Sequence, residues 1–303
     1  MTFAGLLTSA LLGMGAAPAV AGTGTVLPTA HARLPVHTAT VPRRSGPGVT
    51  GAGAAIVAPG TPPPLPQAWI LVDADTGAVL DAQDDRVPLP PASVTKILTA
   101  LTVVNAVPPD ATVPVSARAA GMPARKINMK AGQVWTFADA FHALMLSSAN
   151  DAAVALAERA DGTVERFSED LTRVAKDIGL QDGPLLQDPA GLDDAESVNG
   201  GNLVSARDLA IAARAALADP VVSEAVADPL YRFRGPDGAD HKLGNHNQLL
   251  KTYPGAIGVK TGYTRRAGQC LVSAARRDGR TMIAVVLHAP SVYANSTGLL
   301  DRG

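Results

Sequence analysis

The spacing of apolar and polar positions divides the chain into an aperiodic beginning, a helical middle and a strand-rich end. From Gly22 to Pro66 there is no helical or strand period. Gly, Pro, Thr, Ala and Val alternate with scattered Arg, and the stretch closes on Thr61-Pro-Pro-Pro-Leu-Pro66. Such composition favours extended, solvated chain, so 22–66 is expected to be a disordered linker. The folded unit is expected from 67 to 303. Ala68–Val72 reads as a strand, Asp73–Gly77 as a turn and Ala78–Asp81 as the return strand of a hairpin. The run Ile97–Val104, apolar apart from its threonines, reads as a buried helix that opens at Pro90-Pro91 and ends by Pro108-Pro109.

Beyond it, 111–134 is loop-rich with short strand-like pieces. Thr136-Phe-Ala-Asp139 is a capping-box-type start for a helix over 138–146. Helical periods follow from Asn150 to Arg159, over 164–178, and over 203–213 with Ser205 as N-cap. Strand patterns return at Tyr231–Arg234, 258–264, 269–275 and 281–287, the last two joined by a tight Arg277-Asp-Gly-Arg280 turn, and a short helical tail closes the chain. Strands first and last, with helices between, predict an α+β domain: a mostly antiparallel sheet from both chain ends, flanking helices and an inserted helical lobe.

Composition narrows the function classes. Hydrophobic residues make up 47% of 303, enough for a sizeable core, and a net charge of −1 gives no reason to expect nucleic acid as partner. The single cysteine, Cys270, excludes an intrachain disulfide and reads as a core residue of a strand. No His/Asp cluster has ligand spacing, so neither a metal nor a cofactor is expected. Residues 1–21 read as a signal peptide, with an apolar stretch from Ala4 to Val20 and an Ala19-Val20-Ala21 cleavage signal. No Lys or Arg precedes Arg33, which keeps open an uncleaved anchor. Either way the protein is expected to be exported and extracytoplasmic, on the cell-wall or periplasmic side.

The chemistry concentrates in three short motifs. Ser93-Val-Thr-Lys96 places an amine one helical turn from a hydroxyl at a helix start, where backbone N–H groups favour developing negative charge. A serine alcohol is a weak nucleophile until a base takes its proton, and Lys96 is that candidate base. Ser148-Ala-Asn150 stands at a junction between two helices and Lys260-Thr-Gly262 enters a strand. A second Ser-x-Asn, Ser197-Val-Asn199, lies in a polar loop and is the weaker candidate. Each motif alone is common; Ser-x-x-Lys, Ser-x-Asn and Lys-Thr-Gly in that order are the signature of penicillin-binding and β-lactamase acyl-transferases.

From Gln67 to Gly303 the chain resembles the D-alanyl-D-alanine carboxypeptidases, the low-molecular-mass penicillin-binding proteins of serine peptidase family S11. Pro91–Lys96, Leu146–Ala153, Gly191–Asp193, Asn245–Leu250 and Gly258–Gly268 carry the likeness, in the family's order. The resemblance implies a β-lactamase/DD-peptidase-like fold and removal of the terminal D-alanine from peptidoglycan stem peptides through an acyl-serine. β-Lactams would be covalent inhibitors.

Ser93, Lys96 and Ser148 are then the expected catalytic residues, and Asn150, Lys260, Thr261, Gly262 and Tyr263 the expected substrate-binding ones. The backbone N–H groups of Ser93 and Tyr263 would form the oxyanion hole. A free lysine titrates near 10.4, so burial and a second cation, assigned to Lys260, must lower Lys96. No carboxylate is evident between them. Lys260 and Thr261 would bind the terminal carboxylate. His246 reads first as structural. Arg265 and Arg266 are either pocket-mouth cations or an exposed pair. Asp73, Asp75 and Asp151 read as turn or cap residues. The competing readings are a β-lactamase, for which 187–194 lacks a Glu-x-x-Leu-Asn pattern, a transpeptidase of the same fold, and a non-catalytic wall-binding protein.

Overall fold

The structure is a computed structural model that describes residues 64–303 apart from 124 and 198. The expected signal peptide over 1–21, and all but the last residues of the expected linker over 22–66, lie outside the described residues.

In chain order the elements are β1 (Ala68–Asp73), β2 (Val79–Gln83), a 3₁₀ turn (Ala92–Thr95), α1 (Lys96–Ala106), β3 (Thr112–Pro114), α2 (Ala117–Ala120), β4 (Val134–Thr136) and α3 (Phe137–Met145). They continue as α4 (Asn150–Asp161), α5 (Val164–Asp177), α6 (Ala206–Ala218), α7 (Pro220–Ala227), β5 (Leu230–Arg234), β6 (Asp240–Gly244) and α8 (Leu249–Thr252). The chain closes with β7 (Ala256–Thr264), β8 (Gly268–Arg277), β9 (Arg280–Leu287) and α9 (Val292–Leu300). The main sheet has five strands in the order β2-β1-β9-β8-β7, and every ladder in it is antiparallel. The α+β architecture built from both chain ends follows the sequence pattern.

The central strands are covered on both faces, so their apolar runs are continuous where a half-exposed strand would alternate. On one face Leu271, Met282, Ala284 and Val286 pack with Val292, Leu299 and Leu300 of α9. On the other, Val272, Ala274, Ile283 and Val285 join the large core beneath the helical lobe. Helix α1 runs through that lobe, buried from Lys96 to Val103 and in contact with α3, α4, α5, α6, α7 and β7. A helix apolar all round belongs inside a domain.

Two departures from the sequence pattern bear on the site. Ser93 does not begin an α-helix; it lies in the 3₁₀ turn, and α1 starts at Lys96. A 3₁₀ turn has about three residues per turn, so positions three apart eclipse each other. Thr136 caps α3 by accepting from the Asp139 N–H at 3.1 Å, but the box is half made: the Asp139 carboxylate accepts from Tyr231 Oη at 3.0 Å instead. That bond helps seat the β5–β6 hairpin, whose Phe233 and His241 also pack edge-on against Trp135. The hairpin delivers Asn245–Asn247 to the site.

Because α1 touches most of the lobe, truncating its fully buried Leu98 leaves a cavity that no single neighbour can fill. Leu98→Ala is expected to lose about 2–5 kcal/mol of stability, read as a lower urea midpoint at unchanged slope. A loss below about 1 kcal/mol would contradict the central place given to α1.

Candidate active site

The 3₁₀ turn is held by Pro90-Pro91 on one side and α1 on the other, with Ala92 at φ 51. Positive φ at a non-glycine residue is a strained backbone that only a well-packed surrounding maintains. Lys96 is fully buried, and its Nζ donates to Ser93 Oγ at 3.0 Å, to Asn150 Oδ1 at 2.9 Å and to the Ala190 carbonyl at 2.6 Å. Burial is the main cause that brings this amine down to about 7; Asp188 and Asp151 pull it up, and Arg125 pushes it further down. Lys260, the cation assigned from the sequence, shares a field with Lys96, and Arg125 adds a further cation that acts on both. The two carboxylates come from the first turn of α4 and from the 188–192 turn.

Ser148 sits between α3 and α4 with φ 57 and is buried, and its Oγ has no hydrogen-bond partner among the described residues. Asn150 opens α4. Its side-chain amide donates to the Pro123 carbonyl at 3.2 Å while its backbone N–H donates to the Arg125 carbonyl at 2.8 Å. The next residue, Asp151, does more than face a helix dipole: it accepts from the N–H groups of Ile127 at 3.2 Å and Met129 at 2.9 Å. Asn150 and Asp151 together fasten the 123–129 loop over the site. The alternative Ser197 lies in an exposed loop, donating to the Asp194 carbonyl at 3.4 Å.

The third motif lies on β7, the sheet's last strand, which among the described residues pairs only with β8 and packs against the 3₁₀ turn. Gly262 makes that contact possible. A Cβ there would stand 3.0 Å from the Pro91 carbonyl oxygen and 3.0 Å from the Val94 nitrogen. Lys260 is buried, and its Nζ donates to the Thr261 carbonyl at 3.1 Å. Burial, then Lys96, then Arg125 hold it well below the ordinary lysine range. Thr261 and Tyr263 face a cleft of about 710 Å³ that Ser93, Ser148 and Asn150 also line. No acidic side chain is among its described lining residues. Tyr263 is 63% exposed at its rim.

Sequence reasoning missed the loop that supplies the Ala190 carbonyl. Asp188, fully buried, accepts from the N–H groups of Ala190, Gly191 and Leu192 at 2.8, 2.6 and 3.2 Å. Asn202 donates to the Asp188 carbonyl at 2.8 Å and to Thr95 Oγ1 at 3.2 Å, and Thr99 Oγ1 donates to the Pro189 carbonyl at 2.7 Å. Gly191, at φ +73, has no room for a Cβ against the Ala92 carbonyl. An Asp-Pro-Ala-Gly run marks a turn and carries no signal of what the turn will touch.

Of the weaker candidates, Arg266 is engaged outside the cleft by Asp194 at 2.7 Å, and neither it nor Arg265 lines the cleft. Arg125, not singled out in the sequence, does line it, with Nη1 3.1 Å from His246 Nδ1. Burial first, then Lys260 and Arg125, lower His246 to about 4, so its ring is neutral and accepts. Cys270 is buried on β8, its thiol raised to about 11 by burial. Among the described residues no group of His, Cys, Asp and Glu gathers as metal ligands.

Comparison with known proteins places the chain in one family. The sequence model of the D-alanyl-D-alanine carboxypeptidases, peptidase family S11, matches residues 60–291. A D-alanyl-D-alanine carboxypeptidase of Mycobacterium tuberculosis is 32% identical over 243 residues, covering 78% of this chain and 81% of the relative. One from Bacillus subtilis is 34% identical over 242 residues, covering 77% of this chain and 60% of the relative. Among solved structures, a D-alanyl-D-alanine carboxypeptidase from Mycobacterium tuberculosis superposes with a TM-score of 0.74 at 32% identity, over 81% of this chain and 94% of that one. A point mutant of a Streptomyces DD-transpeptidase gives 0.72 at 27% identity, over 79% and 98%. The chain belongs to the D-alanyl-D-alanine carboxypeptidase family of serine peptidases.

Proposed function

We propose that this protein removes the terminal D-alanine from peptidoglycan stem peptides ending in D-Ala-D-Ala, through an acyl-Ser93 intermediate, on the extracytoplasmic side of the membrane. The observation that carries the roles is the 3.0 Å contact between Lys96 Nζ and Ser93 Oγ, made by an amine lowered to about 7. A base is most effective when its pKa lies near the working pH. In this reading the neutral Lys96 takes the Ser93 proton as Oγ attacks the penultimate D-alanine carbonyl. The oxyanion is received by the backbone N–H groups of Ser93 and Tyr263. The proton returns through Ser148 Oγ, which no other side chain engages among the described residues, to the nitrogen of the departing D-alanine as the C–N bond breaks. Water then attacks the acyl carbonyl, gives a proton to Lys96, and Ser93 regains its own.

The free edge of β7 suits a peptide substrate. Among the described residues only β8 pairs with this strand, so its outer backbone groups can extend the sheet by one strand, the substrate. The Asn150 amide keeps a second N–H for the substrate's carbonyl, and Thr261 stands on the cleft wall for the terminal carboxylate. A β-lactam presents a strained amide and a carboxylate in the same arrangement and would acylate Ser93 in place of the peptide. Against rapid β-lactam hydrolysis, the Asp188 carboxylate beside the site is committed to backbone N–H groups. Residues 1–21 would direct export, and 22–66 would act as a spacer before the catalytic domain of 67–303.

Incubation with benzylpenicillin is expected to give one long-lived adduct on Ser93 by intact mass and peptide mapping, absent in Ser93→Ala, with D-alanine released from a D-Ala-D-Ala peptide by the wild type alone. Catalytic consumption of penicillin without an adduct would instead favour the β-lactamase reading. The acylation rate is expected to rise about tenfold per pH unit below about 7, where Lys96 is protonated and cannot accept, and to level off above it. A rate flat between pH 5 and 8 would remove Lys96 as the base. Gly262→Ala is expected to stay folded but to acylate about a hundredfold more slowly, because it drives β7 from the Ser93 turn and misaligns the reacting groups. An unchanged rate would contradict that close approach.

A further inference from the structure

We propose that Arg125, braced on His246, binds the carboxylate of the departing D-alanine beside Thr261, in the place the sequence reading gives to Lys260. This rests on the D-Ala-D-Ala reading above and deepens it by naming the residue that recognises the free chain end. Lys260 suits that part poorly. It is 1% exposed, its amine is turned to the carbonyl of its own neighbour Thr261, and its surroundings disfavour its charge. A carboxylate needs a cation that keeps its charge and reaches the cleft.

Arg125 meets both conditions. A guanidinium stays protonated throughout the accessible pH range and offers five N–H donors in a planar fork that matches a carboxylate. Arg125 lines the cleft, makes no ion pair among the described residues, and meets no acidic side chain in that lining. Its one side-chain partner is the His246 imidazole at 3.1 Å, which uses one donor and neutralises nothing.

The guanidinium is also well placed. The Arg125 carbonyl is held by the Asn150 N–H at 2.8 Å. His246 is held in turn, its N–H donating to the Leu146 carbonyl at 3.2 Å and its carbonyl accepting from Tyr293 Oη at 3.0 Å. The cation therefore spans from the Asn150 wall to the Asn245–Asn247 loop. It lines the same cleft as Thr261, and its charge is felt by both Lys96 and Lys260. A carboxylate held between the Arg125 fork and the Thr261 hydroxyl leaves the scissile carbonyl beside Ser93.

The test compares ligands with and without that carboxylate. On the full chain, kcat/KM is measured for a diacyl-L-Lys-D-Ala-D-Ala peptide and for its C-terminal amide, and the acylation rate for benzylpenicillin and for its methyl ester. Arg125→Gln is expected to lower the values for the two acids by about ten- to a hundredfold, mainly through KM for the peptide. The amide and the ester should change less than about threefold, and Arg125→Lys should recover part of the loss. His246→Leu should shift the acid-to-amide ratio in the same direction by less. Equal loss for acid and amide, or for acid and ester, would make Arg125 a structural strap and overturn the proposal. So would unaltered acid values. The penicillin pair reads carboxylate binding independently of D-alanine release. A protein acylated on Ser93 that releases no D-alanine would therefore overturn the substrate reading while still deciding the role of Arg125.

Discussion

The arrangement depends on one buried amine. Lys96 has no exposure, and its three hydrogen bonds go to a hydroxyl, an amide oxygen and a backbone carbonyl. All are neutral acceptors. A carboxylate in direct contact would have fixed the ammonium form and removed the base. The drop from an ordinary 10.5 to about 7, at about 1.4 kcal/mol per pKa unit, means that the protonated lysine costs the fold on the order of 5 kcal/mol. The sign follows from linkage. The folded state holds this proton less tightly than the unfolded chain, so the cost is full below about pH 7 and fades as pH rises toward 10.5. In the proposed roles, stability is given up at this residue for a nucleophile that would work near neutrality.

The acceptors are brought to that amine by loops, and buried carboxylates hold the loops. Asp188 binds the N–H groups of its own turn and presents the Ala190 carbonyl. Asp151 binds the N–H groups of Ile127 and Met129 and steadies the loop that Asn150 touches twice. Both stand near enough to raise Lys96. They shape the backbone first and tune the amine second. The strained φ values of Ala92 and Ser148 fall at the same place, where packing from α1, β7 and the 188–192 turn over-determines the backbone.

Much of this was legible in the sequence because local rules carried it. The buried helix after Ser93, the Thr136 and Ser205 caps and the closing strands follow from period and capping, and the motif order was sufficient for the family. What escaped depended on long-range contact. Helix α7 was overlooked although Asp219-Pro220 is a cap followed by a first-turn proline, and Asp219 does accept from the Val222 N–H at 2.9 Å. Strand β6, with Asp-His-Lys-Leu-Gly, is polar on its outer face and is a strand because β5 pairs with it. Arg125 stands in a loop without period, and no spacing rule connects it with His246, 121 residues away.

The distribution of charge among Lys96, Lys260 and Arg125 follows from exposure more than from residue type. The two lysines are buried within one another's field and both lose basicity, while the exposed guanidinium keeps its charge and depresses both. A site of this kind needs a base that is neutral and an anion seat that is not. Two charged lysines at that depth would repel each other, Asp188 and Asp151 would offset only part of the cost, and the cost of desolvating both would fall on the fold. In the proposed roles, placing a guanidinium at the rim separates substrate recognition from proton transfer. Lys96 would then gain and lose its proton in each turnover without loosening the hold on the substrate.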